Sequence, residues 1–288
     1  MAEADELFER GAAALHAGDH GGARDMMRRA GELGRLDAAV IYANFLASGT
    51  GGAREWQNGL AMLRALAKVN RRSARELALL AGMALTAEGD PVSVPPAEPV
   101  CEAPHIVAFR GLFSAAECRY LVEAAAPMLE PALIVDVKTG TQKRDPVRIS
   151  DGCGFTWPLE NPAVHALNRR IAAASGTAAE QGEPLQILRY AVGGEYKPHY
   201  DSIPGFANQR VLTMLVWLNE EYEGGETWFP EPKLALKGQA GDAVLFRNAG
   251  EDGRRDPLSA HAGLPVTAGE KLIASRWIRQ RPFVGEMG

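Results

Sequence analysis

The chain has 288 residues, 31 Lys and Arg against 36 Asp and Glu, and a formal net charge of -5. That length fits one or two domains, and the acidic balance speaks against a general nucleic-acid binder, which usually carries a basic one. With 46% hydrophobic and 23% charged residues the composition excludes wholesale disorder, and no apolar run approaches the roughly 18 residues of a membrane span.

The N-terminal segment MAEADELFER has neither a basic n-region nor an apolar h-region. The three cysteines, Cys101, Cys118 and Cys153, are too few and too scattered for a disulfide framework or a CxxC zinc site. Both features lead to the expectation of a reducing, cytoplasmic location.

Residues 1 to about 88 read as wholly helical. They are rich in Ala, Leu, Arg and Glu and contain no proline. Breaks fall at Gly18-Asp19-His20, at Gly34-Arg35-Leu36-Asp37 and at Ser48-Gly49-Thr50-Gly51-Gly52. The stretches ALHAGDHGGARDMMRRA and FLASGTGGAREWQNGLAMLRALA share a small-residue helix end, a glycine turn and a helix. Ala38 and Ala74 open similar segments 36 residues apart. A period in the thirties marks helical-hairpin repeats, and the segment resembles Sel1-like or tetratricopeptide-type repeats. A small helical domain without repeat ancestry fits the same pattern. His16 and His20 have i, i+4 spacing, but Gly18 interrupts it and favours solvent exposure.

Five prolines, Pro91, Pro95, Pro96, Pro99 and Pro104, then exclude helix. The spacing predicts a helical module over 1–90, a linker over 91–104 and a second domain over 105–288. In that domain HIVAFRGLF reads as a strand, and Ser114 is placed to cap a helix through AAECRYLVEAAAPML. PALIVDV reads as a strand, the stretch from Lys138 to Asp145 as a polar loop, and Asn161 to Ala174 as a helix. From Leu185 onward short apolar runs alternate with turn residues: LQILRYAV, VLTMLVWL, ETWF, AVLFR and KLIASRWI. The pattern predicts a β barrel or sandwich with two covering helices.

The most informative segment is Tyr196-Lys197-Pro198-His199-Tyr200-Asp201. On an extended strand His199 and Asp201 share a face, and His261 supplies a third candidate ligand. Two His and one carboxylate, with the opposite positions open, suit a non-haem Fe(II) oxygenase. Lys271 stands ten residues beyond His261 in GEKLIASRW. On a strand it shares a face with Ile273, Ser275 and Trp277. Facing inward it would be a buried cation in need of a carboxylate partner; facing outward it would simply be solvated. The two faces are similarly apolar, so periodicity leaves the orientation open.

Residues Phe109 to Phe283 resemble the catalytic domain of the 2-oxoglutarate and iron(II)-dependent dioxygenases, most closely the prolyl 4-hydroxylase branch. The resemblance rests on joint spacing. Tyr190 precedes His199 by nine residues, and Thr227 stands in Gly224-Gly225-Glu226-Thr227-Trp228-Phe229. Trp277 follows Lys271 by six residues, and Arg148-Ile149-Ser150, Leu218-Asn219 and Pro265-Val266 flank these elements. The resemblance implies an α+β protein: a C-terminal double-stranded β-helix, or jelly roll, with flanking helices, preceded by the all-α helical-hairpin module. It implies iron on His199, Asp201 and His261, and 2-oxoglutarate held by Lys271 with Tyr190 and Thr227. It implies Trp277 as a catalytic residue and Arg148, Ser150, Tyr196 and Arg210 as a peptide groove. Dioxygen would be consumed, succinate and carbon dioxide released, and L-ascorbate would rescue oxidised iron.

The Lys138–Asp145 loop is either a lid over the substrate or an ordinary hairpin loop. Asn248 to Pro257 is expected as a rim loop just before His261. Cys153 reads as a small buried cysteine, Trp157, Trp217 and Trp228 as packing residues, and His105 and His165 as structural. The expected activity is hydroxylation of a prolyl residue in a peptide or protein. The alternatives are the same chemistry on a free amino acid or another side chain, and a non-catalytic repeat protein with a vestigial metal-binding β domain. Helical repeats commonly present a surface to proteins, so residues 1–90 are expected to engage a protein partner.

Overall fold

A computed structural model describes residues 1–135, 142–144 and 146–283. Its contacts divide into two units, residues 1–93 together with 155–170, and residues 94–154 together with 171–283. The architecture is α+β, with helices at the N-terminus and antiparallel sheets after them.

Five helices build most of the first unit: α1 (Ala2–His16), α2 (His20–Glu32), α3 (Leu36–Ser48), α4 (Trp56–Leu66) and α5 (Arg71–Ala81). The breaks after α1, α2 and α3 fall at the expected glycine clusters, whereas the break between α4 and α5, at residues 67–70, contains no glycine and was not expected. Asp19 caps α2 by accepting from the Gly22 N–H at 2.8 Å. Asn70 caps α5 through the N–H groups of Arg72 and Ser73. Gly49 ends α3 at φ 85°, a left-handed position that favours glycine. His16 ends α1 and His20 opens α2, so the two imidazoles do not share a helix face. The core joins Leu7, Ala23, Met27, Ala30, Ala38 and Phe45, with Trp157 packed against it.

Residues 155–170 belong with these helices, although the sequence pattern assigns them to the second domain. Asn44 Nδ2 donates to the Pro158 carbonyl at 2.8 Å. The rings of Trp56 and His165 lie 6.3 Å apart, and Arg169 pairs with Asp90. The buried Glu76 carboxylate accepts from the Ala163 N–H. Apolar periodicity finds the helix there but does not say which neighbours cover it.

Two further helices follow in the chain, α6 (Ala115–Ala125) and α7 (Pro162–Ser175). Ser114 starts α6 with a capping box, its hydroxyl on the Glu117 N–H and the Glu117 carboxylate on its own N–H.

The strands are β1 (Glu98–Cys101), β2 (Ile106–Phe109), β3 (Glu130–Pro131), β4 (Leu133–Val135), β5 (Gln142–Arg144), β6 (Arg148–Ile149), β7 (Asp151–Phe155), β8 (Leu185–Tyr190) and β9 (Glu195–His199). They continue as β10 (Arg210–Trp217), β11 (Tyr222–Gly224), β12 (Thr227–Phe229), β13 (Leu234–Leu236), β14 (Ala243–Arg247), β15 (His261–Gly263), β16 (Val266–Gly269) and β17 (Lys271–Arg279). Eight form one sheet, in the order β1-β2-β14-β10-β17-β8-β7-β3, and five form another, β13-β12-β15-β9-β6. The pairings are antiparallel from β1 through to β8 in the larger sheet, between its β7 and β3, and throughout the smaller sheet. The proline-rich stretch expected as a linker therefore contains strand β1. It lies at the edge of the larger sheet, where a proline such as Pro99 is tolerated. Of the expected Lys138–Asp145 loop only 142–144 fall within the described residues, as β5 paired with β4; the lid reading lies outside them.

The core of the second unit lies between the two sheets. It joins Ile106, Leu188, Leu215, Trp217, Val244, Phe246 and Ile273 from the larger sheet with Phe229 from the smaller one. Strand β17 is buried on both faces, which is why its period carried no contrast. Among the described residues no helix is long and apolar enough to cross a membrane.

Candidate functional site

His199 is the last residue of β9, His261 is the first of β15, and the two are register partners on neighbouring strands. Asp201 lies just past the end of β9. The expected i, i+2 face thus spans a strand end, and the third ligand arrives by cross-strand pairing. The candidate ligand atoms of the three residues all lie within 4.8 Å of one another. His199 Nε2 is 3.6 Å from Asp201 Oδ1, and His261 Nε2 is 3.6 Å from Asp201 Oδ2.

Both imidazoles are oriented from behind. His199 Nδ1 donates to the Lys197 carbonyl at 2.9 Å, and His261 Nδ1 donates to the Ser259 carbonyl at 3.0 Å. A carbonyl only accepts, so each Nδ1 carries a proton and each Nε2 offers its lone pair to a cation. The ring of His261 packs 4.7 Å from Phe246 and 5.7 Å from Phe229. Burial, with His199 alongside, holds the His261 imidazole below its usual range against the pull of Asp201. Burial alone would raise the Asp201 carboxyl. The adjacent His261 and His199 and the Thr213 hydroxyl outweigh it and hold Asp201 well below the usual carboxylate range. A carboxylate kept anionic beside two imidazoles that present Nε2 to it is a donor set that fits ferrous iron.

Lys271 opens β17 directly opposite Tyr190 at the end of β8. Its side chain faces inward and is only 2% exposed. Nζ donates to the Gly225 carbonyl at 2.6 Å and sits 5.4 Å from the centre of the Tyr190 ring. Among the described residues it forms no ion pair. Burial pushes its pKa down to about 8 despite the opposing influence of Glu226. A buried ammonium with a carbonyl but no carboxylate fits an anionic ligand. The glycine pair explains how the carbonyl reaches it. Gly225 has φ 67°, and a Cβ there would stand 3.2 Å from Lys271 Cδ and 3.0 Å from Val266 Cγ2.

One cavity gathers these groups. Tyr190, Tyr196, His199, Asp201, Thr227, His261, Lys271 and Trp277 line it, with Leu188, Leu215 and Ile273 as apolar wall. The Tyr190 phenol is raised above its usual range by burial and remains a neutral donor. Thr227 is buried on β12. The indole Nε1 of Trp277 is buried without a hydrogen-bond partner in the structure.

The expected groove residues divide. Tyr196 stacks on His199 with ring centroids 3.4 Å apart and planes at 13°, and the Arg148 guanidinium lies 5.6 Å from the centre of the Tyr196 ring. Ser150 follows β6, half-buried. Arg210 is held by an acid and an indole. Its Nε and Nη2 engage both oxygens of Glu183 at 2.6 and 2.7 Å, and its guanidinium lies 3.9 Å from the centre of the Trp277 ring. Arg279 completes the cluster on Glu183 at 2.6 Å. Glu183 thus occupies Nε and Nη2, and Nη1 is the Arg210 nitrogen outside that fork.

The rim loop is present, closed by a bridge between Ala249 and Arg255 and joined to Ser202 by Arg255 Nε at 2.9 Å. Burial pushes the Cys153 thiol up to about 11, which leaves it a poor nucleophile. Three buried polar residues were missed in the sequence: Glu183, Thr213 and Asn248. Thr213 and Asn248 sit within or beside apolar strand text, and no spacing rule singles them out.

Comparison with known proteins agrees with this site. Residues 185–279 match the 2OG-Fe(II) oxygenase superfamily. Prolyl 4-hydroxylase 1 of Arabidopsis thaliana is 39% identical over 203 residues, covering 64% of this chain and 72% of that one. Probable prolyl 4-hydroxylase 10 of the same plant is 32% identical, covering 62% and 70%. The crystal structure of the viral collagen prolyl hydroxylase from Paramecium Bursaria Chlorella virus-1, in its 2OG complex, superposes with a TM-score of 0.51 at 30% identity. It covers 63% of this chain and 99% of the viral one. With that relative aligned over most of its length, the chain belongs to the prolyl 4-hydroxylase family of 2OG-Fe(II) oxygenases.

Proposed function

We propose that this dioxygenase hydroxylates a prolyl residue in a peptide or protein, consuming 2-oxoglutarate and releasing succinate and carbon dioxide. One observation carries the reading: the His-Asp-His cluster and a buried lysine with no ion-pair partner among the described residues line the same cavity. Bound ferrous iron with 2-oxoglutarate and dioxygen supplies the oxidation of an unactivated C–H bond.

The protein's own groups bind, orient and exclude water. His199 and His261 hold the metal through Nε2, and Asp201 holds it through a carboxylate kept ionised. Lys271 Nζ receives the distal carboxylate of the cosubstrate, with the hydroxyls of Tyr190 and Thr227 donating to the same end. Leu188, Leu215 and Ile273 keep bulk water from the charged contact. Trp277 offers a buried N–H to the reacting end of the cavity. Tyr196, braced between His199 and Arg148, and Ser150 face the peptide.

The finer readings belong to the same proposal. The two sheets with a cavity between them support a double-stranded β-helix. The glycine-punctuated helices of residues 1–90 support a Sel1/TPR-like module that engages a protein partner. Ascorbate is proposed as the reductant of oxidised iron, and a reducing cytoplasm is proposed as the location on the free Cys101, Cys118 and Cys153.

The test is anaerobic addition of 2-oxoglutarate to the Fe(II)-loaded protein, followed by its weak visible charge-transfer band. The band is expected in the wild type and absent in His199→Ala. Succinate release stimulated by a prolyl-containing peptide, and not by free amino acids, completes the assignment. Stimulation by a free amino acid alone would overturn the peptide substrate.

A further inference from the structure

We infer that Thr213 and Asn248 form a positioning clamp that fixes the Asp201 carboxylate and ties it to the segment delivering His261. The inference rests on the metal-site reading above. Thr213 Oγ1 donates to Asp201 Oδ2 at 2.6 Å, and Asn248 Nδ2 donates to Thr213 Oγ1 at 2.7 Å. Neither Thr213 nor Asn248 is exposed at all.

The direction of these bonds follows from chemistry. An ionised carboxylate only accepts, so the single Thr213 proton goes to Asp201. The Thr213 oxygen then has only lone pairs left, so the Asn248 group facing it must be the amide NH2. Asn248 thereby prevents Thr213 from turning its proton away. The carboxylate loses its freedom to rotate, and its partner is neutral. An arginine in that place would compete with the metal for the charge.

Asn248 has a second role through its main chain. Its carbonyl accepts from the Asp256 N–H at 2.9 Å and from Ser259 Oγ at 3.4 Å. The Ser259 carbonyl in turn orients His261 Nδ1. One residue at the base of the rim loop thus sets two of the three ligands. Hydrogen-bonding partners behind metal ligands commonly change metal affinity by about 10–100-fold.

The test titrates Co(II) into the full-length protein without cosubstrate and follows the ligand-field bands. His199→Ala must first abolish them. If it does not, the metal-site reading has failed, whatever the clamp does. Thr213→Val keeps the shape and removes the hydroxyl, and is expected to weaken Co(II) binding about 10–100-fold and shift the bands. Thr213→Ser is expected to restore binding to within about threefold of wild type on the same scale. Asn248→Asp keeps the volume but removes the NH2 donor, and is expected to match the loss in Thr213→Val. In the Thr213→Val background it should add little, because it acts through Thr213. Unchanged metal-free melting in Thr213→Val would separate this role from a structural one. If that variant does not fold, the contrast between Thr213→Ser and Asn248→Asp decides. Wild-type Co(II) affinity and spectra in Asn248→Asp or in Thr213→Val overturn the clamp.

Discussion

Lys271 shows how far one residue can be followed from sequence. Its spacing from His261 marked it, yet β17 is buried along its length and the period could not say which way the lysine faced. Only the pairing with Tyr190 and the carbonyl of Gly225 decide it. A depressed pKa near 8 has a consequence for binding. Below that value the ammonium is already charged when the cosubstrate arrives. Above it, binding must take up a proton, and affinity should fall roughly tenfold per pH unit. Calorimetry in two buffers of different ionisation enthalpy should show proton uptake at pH 9 and little at pH 7. Lys271→Met should raise the Kd for 2-oxoglutarate at least about thirtyfold, equivalent to ~2 kcal/mol, and lose the proton uptake. Retention of the uptake in that variant would move the titration to another group. The triad was legible because His199 and Asp201 stand two apart at a strand end and His261 keeps the spacing of the family the sequence resembles. Thr213, Asn248 and Glu183 were not, because their partners come from distant segments that no local pattern brings to mind.

At the scale of elements, caps and turns were readable in the sequence, and partners were not. Ser114 announced α6, and glycine clusters announced the ends of α1 to α3, because those signals are local. The contact of α5 with the start of α7 is not local. Glu76 in α5 is 2% exposed and accepts from the Ala163 N–H. Burial pushes its carboxyl up to about 8, against the influence of that N–H and Arg72. A raised acid favours the folded state while protonated. Its contribution is complete below the ordinary value near 4.5 and is lost as pH rises through 8. Glu76→Gln keeps an acceptor and removes the ionisation. The variant should match the wild type in urea melts at pH 5 and exceed it at pH 9, by on the order of a few kcal/mol. Parallel loss of stability in both proteins between those pH values would place the titrating group elsewhere.

At the scale of the whole molecule, the contacts divide between residues 93 and 94, next to the composition break near residue 95, but one later stretch crosses that division. Residues 155–170 share a unit with residues 1–93, through Asn44, Trp56, Glu76 and Asp90. A protein starting at residue 94 therefore loses the partners of that stretch. It should express poorly or melt well below the full chain, by differential scanning calorimetry. Normal melting of the truncated protein would show that residues 155–170 stand without the helices. Loss of turnover on truncation is accordingly not by itself a sign of substrate recruitment. A surface substitution on α1 to α5 that spares melting is the cleaner probe.

The same interleaving sets an order of events during synthesis. The five leading helices are made first, but the stretch that completes their unit begins about 60 residues further along the chain and is not yet synthesised when residue 93 is added. At translation speeds of about 5–20 residues per second that is a wait of roughly 3–12 s. Through that interval the faces destined for residues 155–170 have no native cover. Chaperone dependence should therefore be concentrated in this window, and slower decoding between codons 94 and 154 should lower the yield of soluble protein.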